Sequence, residues 1–211
     1  MKLVLASNNA RKLGELQALF APLSLELVTQ GSLGVAEAEE PHLTFLENAL
    51  AKARHAAARA GLPAIADDSG LAVEALGGAP GVQSAHFAPL PADAPRGDRE
   101  ALRARQDAAN NALLLARLEG VADRRARFVS TLVAVRSADD PEPLVATGRW
   151  DGEVLAAARG AGGFGYDPLL FVPALGRTVA ELEPAVKNAH SHRALAARQM
   201  VSLMREAWRL G

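Results

Sequence analysis

The chain has no cysteine, which removes thiol nucleophiles, cysteine-ligated zinc and any disulfide framework, and is compatible with a reducing compartment. It has no block of like charge, and its formal net charge is only -1. The basic face of a nucleic-acid or membrane-surface protein is therefore missing, and neither partner is expected. No apolar run approaches the roughly 20 residues of a membrane span, and the run at residues 3–6 is too short for a signal peptide, so the expectation is a soluble, cytoplasmic protein. There is no Gly-Lys pair and hence no P-loop, no H-E-x-x-H zinc motif, and no G-x-S-x-G elbow to support a serine hydrolase built on Ser69 or Ser191 with His192. Lysine is also scarce: against 19 arginines stand only Lys2, Lys12, Lys52 and Lys187. Where arginine supplies generic surface charge, a retained lysine marks a place that needs a compact ammonium.

With 211 residues, 49% hydrophobic and 22% charged, the chain can build a sizeable core and reads as a single domain spanning 1–211. Residues 2–6 form a short buried strand, Ser7-Asn8-Asn9 a polar break, and Leu13, Leu16 and Phe20 recur at helical spacing. A strand, loop and helix N-terminus in that order is a natural phosphate cradle. Lys12 in the first helical turn opposes the helix dipole unless an anion meets it. A second strand covers 25–29, followed by a loop at 31–41 bearing Glu37, Glu39 and Glu40. Thr44 and Glu47 fit a capping box that opens a helix running to Ala60, and Asn48 and Lys52 share one face of it.

An apolar strand at 62–66 is expected to end at Asp67-Asp68-Ser69-Gly70, two adjacent acids and a turn. Carboxylates beside a core need a cation, a metal or several donors. The segment 89–98 reads as a proline-rich connection, 99–119 as a surface helix belonging to the scaffold, and 126–136 with 144–150 as antiparallel strands, so the sheet should be mixed. The loop from Arg159 to Pro168 matches G-x-G-x-x-G formally but leads into a strand rather than a helix, which excludes a Rossmann site. With aromatics at 4%, a loop displaying Phe164, Tyr166 and Asp167 around Gly165 reads as a base-stacking surface. Lys187 and Ser191-His192-Arg193 precede a terminal helix.

Together the acids Glu40, Asp67 and Asp68 and the ammonium groups of Lys12, Lys52 and Lys187 make a nucleoside polyphosphate site. Its oxygen-only donors favour Mg2+ or Mn2+. A non-catalytic nucleotide sensor would carry the same binding residues and is the alternative.

The segments SNNARK at 7–12, TFLENA at 44–49, ADDSGL at 66–71, GFGYDP at 163–168 and SHR at 191–193, in this order across nearly the whole chain, resemble the inosine triphosphate pyrophosphatase, or Ham1, family. The resemblance implies an α/β fold, an elongated mixed sheet flanked by helices in two lobes with a cleft between them, and a homodimer. It implies hydrolysis of ITP, dITP and XTP to monophosphate and pyrophosphate. Carried onto this sequence, Ser7, Asn8, Asn9 and Lys12 hold the triphosphate and Glu40 and Asp68 the metal, with Asp68 also taking the proton from a metal-activated water that attacks the α-phosphorus. Lys52 and Ser69 support the phosphates. Phe164, with Gly165 and Tyr166, stacks on the base, and Asp167, Lys187, His192 and Arg193 read its edge. Because neighbouring residues in extended chain point to opposite sides, Asp68 is expected to face the chemistry, while Asp67 turns aside to bond loop or lysine donors, with Asn48 in support.

Overall fold

The computed structural model describes residues 1–90 and 97–210; of the expected connection at 89–98, residues 91–96 lie outside the described residues. The strands are β1 (Lys2–Leu5), β2 (Glu26–Thr29), β3 (Ala64–Val73), β4 (Arg125–Val135), β5 (Leu144–Val154), β6 (Leu170–Val172) and β7 (Arg177–Thr178). The α-helices are α1 (Ala10–Phe20), α2 (Phe45–Ala60), α3 (Arg99–Arg117), α4 (Pro184–His190) and α5 (His192–Ala207). Among the described residues the strands form one seven-stranded sheet in the order β2-β1-β3-β4-β5-β6-β7. It is mixed, as expected: β1 runs parallel to β2 and β3, while β6 is antiparallel to β5 and β7.

The chain folds as two compact units of interleaved segments. The first comprises the described residues of Met1–Ser69, Val129–Arg149 and Asn188–Gly211, the second those of Gly70–Phe128 and Trp150–Lys187. In the first unit, side-chain parity along the strands sorts residues onto two faces. Leu3, Leu5, Ile65, Leu132 and Ala134 pack with Leu16 and Phe20 of α1 and with Ala196, Met200 and Met204 of α5. The alternate residues Val4, Ala6, Ala64, Ala66, Val133 and Val135 pack with Ala49, Ala53, Ala56 and Ala57 of α2. Helices on both faces explain why β3 and β4 are buried almost throughout. The second unit is built around Leu71, Val73, Leu114, Leu118, Phe128, Trp150, Tyr166 and Leu169.

Two expectations are corrected, and two elements are new. β3 does not end at Ala66: it runs on through both acids to Val73. Gly70 permits this not by turning but by close approach, since any side chain there would overlap the Ser84 hydroxyl and the Gly81 carbonyl. β5 likewise passes residue 150 to Val154, because Gly152 lets the Phe171 backbone come alongside and pair with Glu153. The short elements β7 and α4 were not expected at all, being too brief for periodicity to register.

At Gly148 the backbone of α5 packs directly against β5. A Cβ there would overlap the His192 carbonyl oxygen and come within 2.7 Å of the Ala196 amide nitrogen. Gly148→Ala should therefore lower stability by about 1–3 kcal/mol through overpacking, measured by urea unfolding; an unchanged midpoint would show that α5 shifts without cost.

Candidate active site

Parity divides the two acids of β3. Asp67 shares the face of Ile65 and so points toward α1 and α5; Asp68 shares the face of Ala66 and points toward α2.

On the first face Asp67 is almost wholly buried and surrounded by donors. Its Oδ2 accepts from Arg193 Nε at 3.1 Å and Nη2 at 3.0 Å, and stands 3.0 Å from Lys12 Nζ. Its Oδ1 accepts from the Ser130 hydroxyl at 2.7 Å, and the Ser69 hydroxyl adds a bond to Oδ2 at 3.2 Å. Burial alone would raise the Asp67 pKa, but the Arg193 guanidinium and the Lys12 ammonium outweigh it and hold the carboxyl well below its ordinary value. Arg193 is pinned in turn: its Nη1 pairs with Glu15 of α1 and its Nη2 also reaches Ser69 at 3.2 Å. Burial would lower the Arg193 pKa, and the Asp67 and Glu15 carboxylates turn the shift upward. The two cations differ in access. The Arg193 side chain is 2% exposed and that of Lys12 18%, so Lys12 alone of the pair keeps a surface for a ligand. Burial lowers the Lys12 pKa, with Lys52 and Arg193 adding to the fall against the pull of Asp67.

On the other face Asp68 Oδ1 accepts from Lys52 Nζ at 2.9 Å, and the same ammonium reaches Glu40 Oε1 at 3.1 Å. It is Glu40, not Glu39, that meets α2. The Asp68 Oδ2 atom is buried and meets no hydrogen-bond donor among the described residues. Burial raises the Asp68 pKa, and the Lys52 charge offsets this only in part while Glu40 adds to it. Lys52 is opposed by its own burial, yet the carboxylates of Asp68 and Glu40 raise its pKa. Lys12 and Lys52 converge on one atom, the Asp67 backbone carbonyl, each at 3.3 Å.

These features test whether a divalent cation fits. An orphaned buried carboxylate oxygen is the atom a cation would satisfy, and Glu40, which shares the Lys52 ammonium with Asp68, would offer a second oxygen ligand. No group of three or more His, Asp or Glu among the described residues forms a complete cage. A hard cation that takes one or two carboxylates and fills its shell with phosphate oxygens and water suits such a donor set.

The loop bearing Glu40 is fixed by a polar stripe on α2. Asn48 bonds the backbone N–H and C=O of His42 at 3.0 and 3.2 Å, and His55 Nε2 lies 3.0 Å from the Ala36 carbonyl. Asn8 tethers the loop's other end: its Oδ1 accepts from Gly31 N at 2.8 Å and its Nδ2 donates to Glu37 at 3.0 Å. Asn9 caps α1, accepting from the Arg11 and Lys12 amides at 3.0 and 3.3 Å, and the Ser7 hydroxyl accepts from Asn9 N at 3.1 Å. Both side-chain ends of Asn8 thus serve the acidic loop. Ser191 caps α5 through Ala194 N at 3.1 Å, with His192 and Arg193 buried in the first turn.

In the second unit the glycine loop holds a compact cluster. Asp167 Oδ2 accepts from Lys187 Nζ and from Phe164 N, both at 2.9 Å, and Lys187 Nζ lies 4.6 Å from the Phe164 ring centroid. Phe164 is half-buried. Tyr166, expected on display, is instead a core residue whose phenol donates to the Ser84 carbonyl at 2.9 Å. Burial, with the Asp107 carboxylate, pushes its pKa up, so it stays a donor.

The structure therefore gathers Glu40, Lys12, Lys52, Asp67, Asp68, Ser69 and Arg193 in the first unit, and Phe164, Gly165, Tyr166, Asp167 and Lys187 in the second. The Arg193 guanidinium, expected at the base edge, is paired with Asp67 and Glu15. Ser130, Glu15 and His55 escaped sequence reading. Glu15 stands three residues after Lys12 and His55 three after Lys52, so helical spacing alone could have found those two. Removing one partner from a buried charge cluster leaves the others uncompensated. Asp67→Asn should cost about 3–5 kcal/mol in urea unfolding, whereas Asp68→Asn in chelator-treated buffer should be neutral or stabilising, since burial already disfavours that carboxylate. Equal losses from both would overturn this division.

A model of the Ham1 family matches residues 3–203. Among curated proteins, the dITP/XTP pyrophosphatase of Leptothrix cholodnii is 74% identical over 211 residues, covering 100% of both chains. That of Methylibium petroleiphilum is 71% identical over 208 residues, covering 99% of each. Among solved structures, a HAM1 protein from Coxiella burnetii superposes with a TM-score of 0.84 at 41% identity, covering 98% of this chain and 99% of that one. The Staphylococcus aureus Ham1 protein gives 0.81 at 32%, covering 98% of this chain and 100% of that one. With its sequence matched almost end to end and its sheet shared with solved members, this chain belongs to the Ham1 family.

Proposed function

We propose that this chain hydrolyses purine nucleoside triphosphates with non-standard bases, dITP, XTP and ITP, to the nucleoside monophosphate and pyrophosphate, clearing them from the nucleotide pool. The observation that carries the mechanism is the state of Asp68: buried, anchored by one oxygen to Lys52, and with its second oxygen meeting no donor. Such an oxygen is poised to accept a proton. Water attacks the α-phosphorus, Asp68 takes its proton, the bond from the α-phosphorus to the bridging oxygen breaks, and pyrophosphate leaves with that oxygen. Lys12 and Lys52, from either side of the Asp67 carbonyl, neutralise phosphate charge as it shifts toward the leaving group. Ser69 and the Ser7 to Asn9 loop complete the phosphate contacts, Asn8 doing so through its hold on the acidic loop. Asp68 and Glu40 would hold Mg2+ or Mn2+, which when bound supplies charge stabilisation to the phosphates and to the departing pyrophosphate.

Phe164 supplies the stacking ring, a contact worth about 1–3 kcal/mol per base, and Lys187 stands beside it as a donor. Hypoxanthine and xanthine present a 6-keto acceptor where adenine presents an amino donor, so Lys187 would favour the former and leave ATP with two donors facing each other. GTP shares the keto group and is rejected at its 2-amino position. Residues 1–211 act as one functional domain: the family match runs from 3 to 203 across both interleaved units. A homodimer in the cytoplasm completes the proposal; no helix among the described residues is long and apolar enough to cross a membrane.

Hydrolysis of ITP in 18O-water with Mg2+ tests the chemistry. Label is expected in the monophosphate. Label in pyrophosphate would move the attack to the β-phosphorus, and release of orthophosphate would overturn the pyrophosphatase reading. Asp68→Asn should lower kcat by about 10²–10⁴; a protein that binds ITP without consuming it would be a sensor instead, and turnover of GTP equal to that of ITP would refute the selectivity.

A further inference from the structure

Helix α3 carries two polar pairs, each spaced one helical turn apart, and they grip the second unit from inside. Gln106 and Asn110 hold the segment that follows Gly81. Asn110 Oδ1 accepts from Ala88 N at 2.9 Å and its Nδ2 donates to the Ser84 carbonyl at 3.1 Å, while Gln106 Nε2 donates to the Ala88 carbonyl at 2.8 Å. The Ser84 carbonyl also takes the Tyr166 phenol. The second pair reaches the glycine loop directly. Asp107 Oδ2 accepts from Gly165 N at 2.8 Å, and Asn111 Nδ2 donates to the Gly165 carbonyl at 3.0 Å.

Gly165 is thus held by both of its backbone polar groups, from two side chains of one rigid helix. The grip matters because Gly165 adopts φ 61°, a left-handed conformation in which glycine has no side chain to fix it. Gly163, at φ 74°, lies against the Asp167 carboxylate. Between these two glycines stands Phe164, whose ring position relative to Lys187 depends on where the flanking backbone is held.

We propose that Asp107 and Asn111 are specificity-determining positioning residues: by fixing the peptide groups on both sides of the Gly165 α-carbon they set the height and tilt of the Phe164 ring against Lys187, and so the fit of a 6-keto purine. This rests on the reading of Phe164 as the base platform. Asp107 and Asn111 do not themselves touch the base. They act through the two peptide groups on either side of the Gly165 α-carbon, in the way that outer partners orient catalytic side chains.

The test is steady-state kinetics of the full chain on ITP and GTP. Asp107→Ala and Asn111→Ala should each raise KM for ITP by about tenfold, the scale of a sub-ångström misplacement, with kcat within about threefold of wild type. The ITP-to-GTP ratio of kcat/KM should shrink and the Mg2+ dependence stay as in wild type. Asp107→Asn keeps an oxygen acceptor for the Gly165 N–H and should recover most of the KM loss, while Asn111→Asp sets a carboxylate against a carbonyl and should be worse than alanine. Lowered thermal stability with an unchanged ITP-to-GTP ratio would overturn the proposal by showing a purely structural role. Phe164→Ala, measured in parallel, separates the two levels. If it raises KM while the Asp107 and Asn111 variants do not, the positioning inference alone falls; if it leaves KM unchanged, the base-platform reading falls and takes the inference with it.

Discussion

A single buried carboxylate constrains the first unit. Asp67 cannot sit in a sheet covered on both faces unless cations and donors meet it, because an unpaired buried charge costs several kcal/mol. Lys12 from α1, Arg193 from α5 and Ser130 from β4 all do so, which ties three elements distant in sequence to one atom group. Glu15 then balances the second cation. The geometry of α1 and α5 over the sheet is consequently coupled to the charge state of one side chain, and that charge is held in place by the same cations.

The strand repeat converts this structural need into chemistry. With Asp67 committed to one face, Asp68 is delivered to the other, where the alanine-rich helix α2 carries a polar stripe of Asn48, Lys52 and His55. The stripe does two things at once: it fixes the loop that carries Glu40, and it places an ammonium between Glu40 and Asp68. One oxygen of Asp68 is left without a donor because the positive charge available to it has already been shared. The second unit solves a related problem differently. Phe164 sits between two glycines of left-handed φ, and the loop is held from outside, by α3 and by the Lys187–Asp167 pair.

Most of the fold was legible because its long elements have clear periodicity, as in the Leu13, Leu16 and Phe20 stripe of α1, and because the mixed sheet follows from a parallel start and a hairpin. The candidate side chains were legible as residue types at recognisable spacing. Their partners were not. Nothing local marks Arg193 as the mate of an aspartate 126 residues away, so basic residues at a helix start were assigned to a ligand when a protein carboxylate was the anion. Lys12 pairs with the same carboxylate yet keeps a surface for a ligand. The strand running through Asp67 and Asp68 was read as a turn because glycine and serine after paired acids are turn chemistry, whereas here Gly70 serves close packing. That Asn8 also tethers the acidic loop, through Gly31 and Glu37, has no local signature. Helix α3 reads as scaffold from sequence, yet Gln106 with Asn110 and Asp107 with Asn111 are polar residues one turn apart that hold the second unit.

The central claim is that adjacent acids of one strand have separate duties, Asp67 inward for structure and Asp68 outward toward metal and water. Paramagnetic titration of Mn2+ in the presence of a non-hydrolysable ITP analogue tests it most directly, on wild type and on Asp68→Asn with the fold checked by circular dichroism. The account predicts that Asp68→Asn folds normally and loses at least about tenfold in Mn2+ affinity. Wild-type affinity for Mn2+ in folded Asp68→Asn would contradict it.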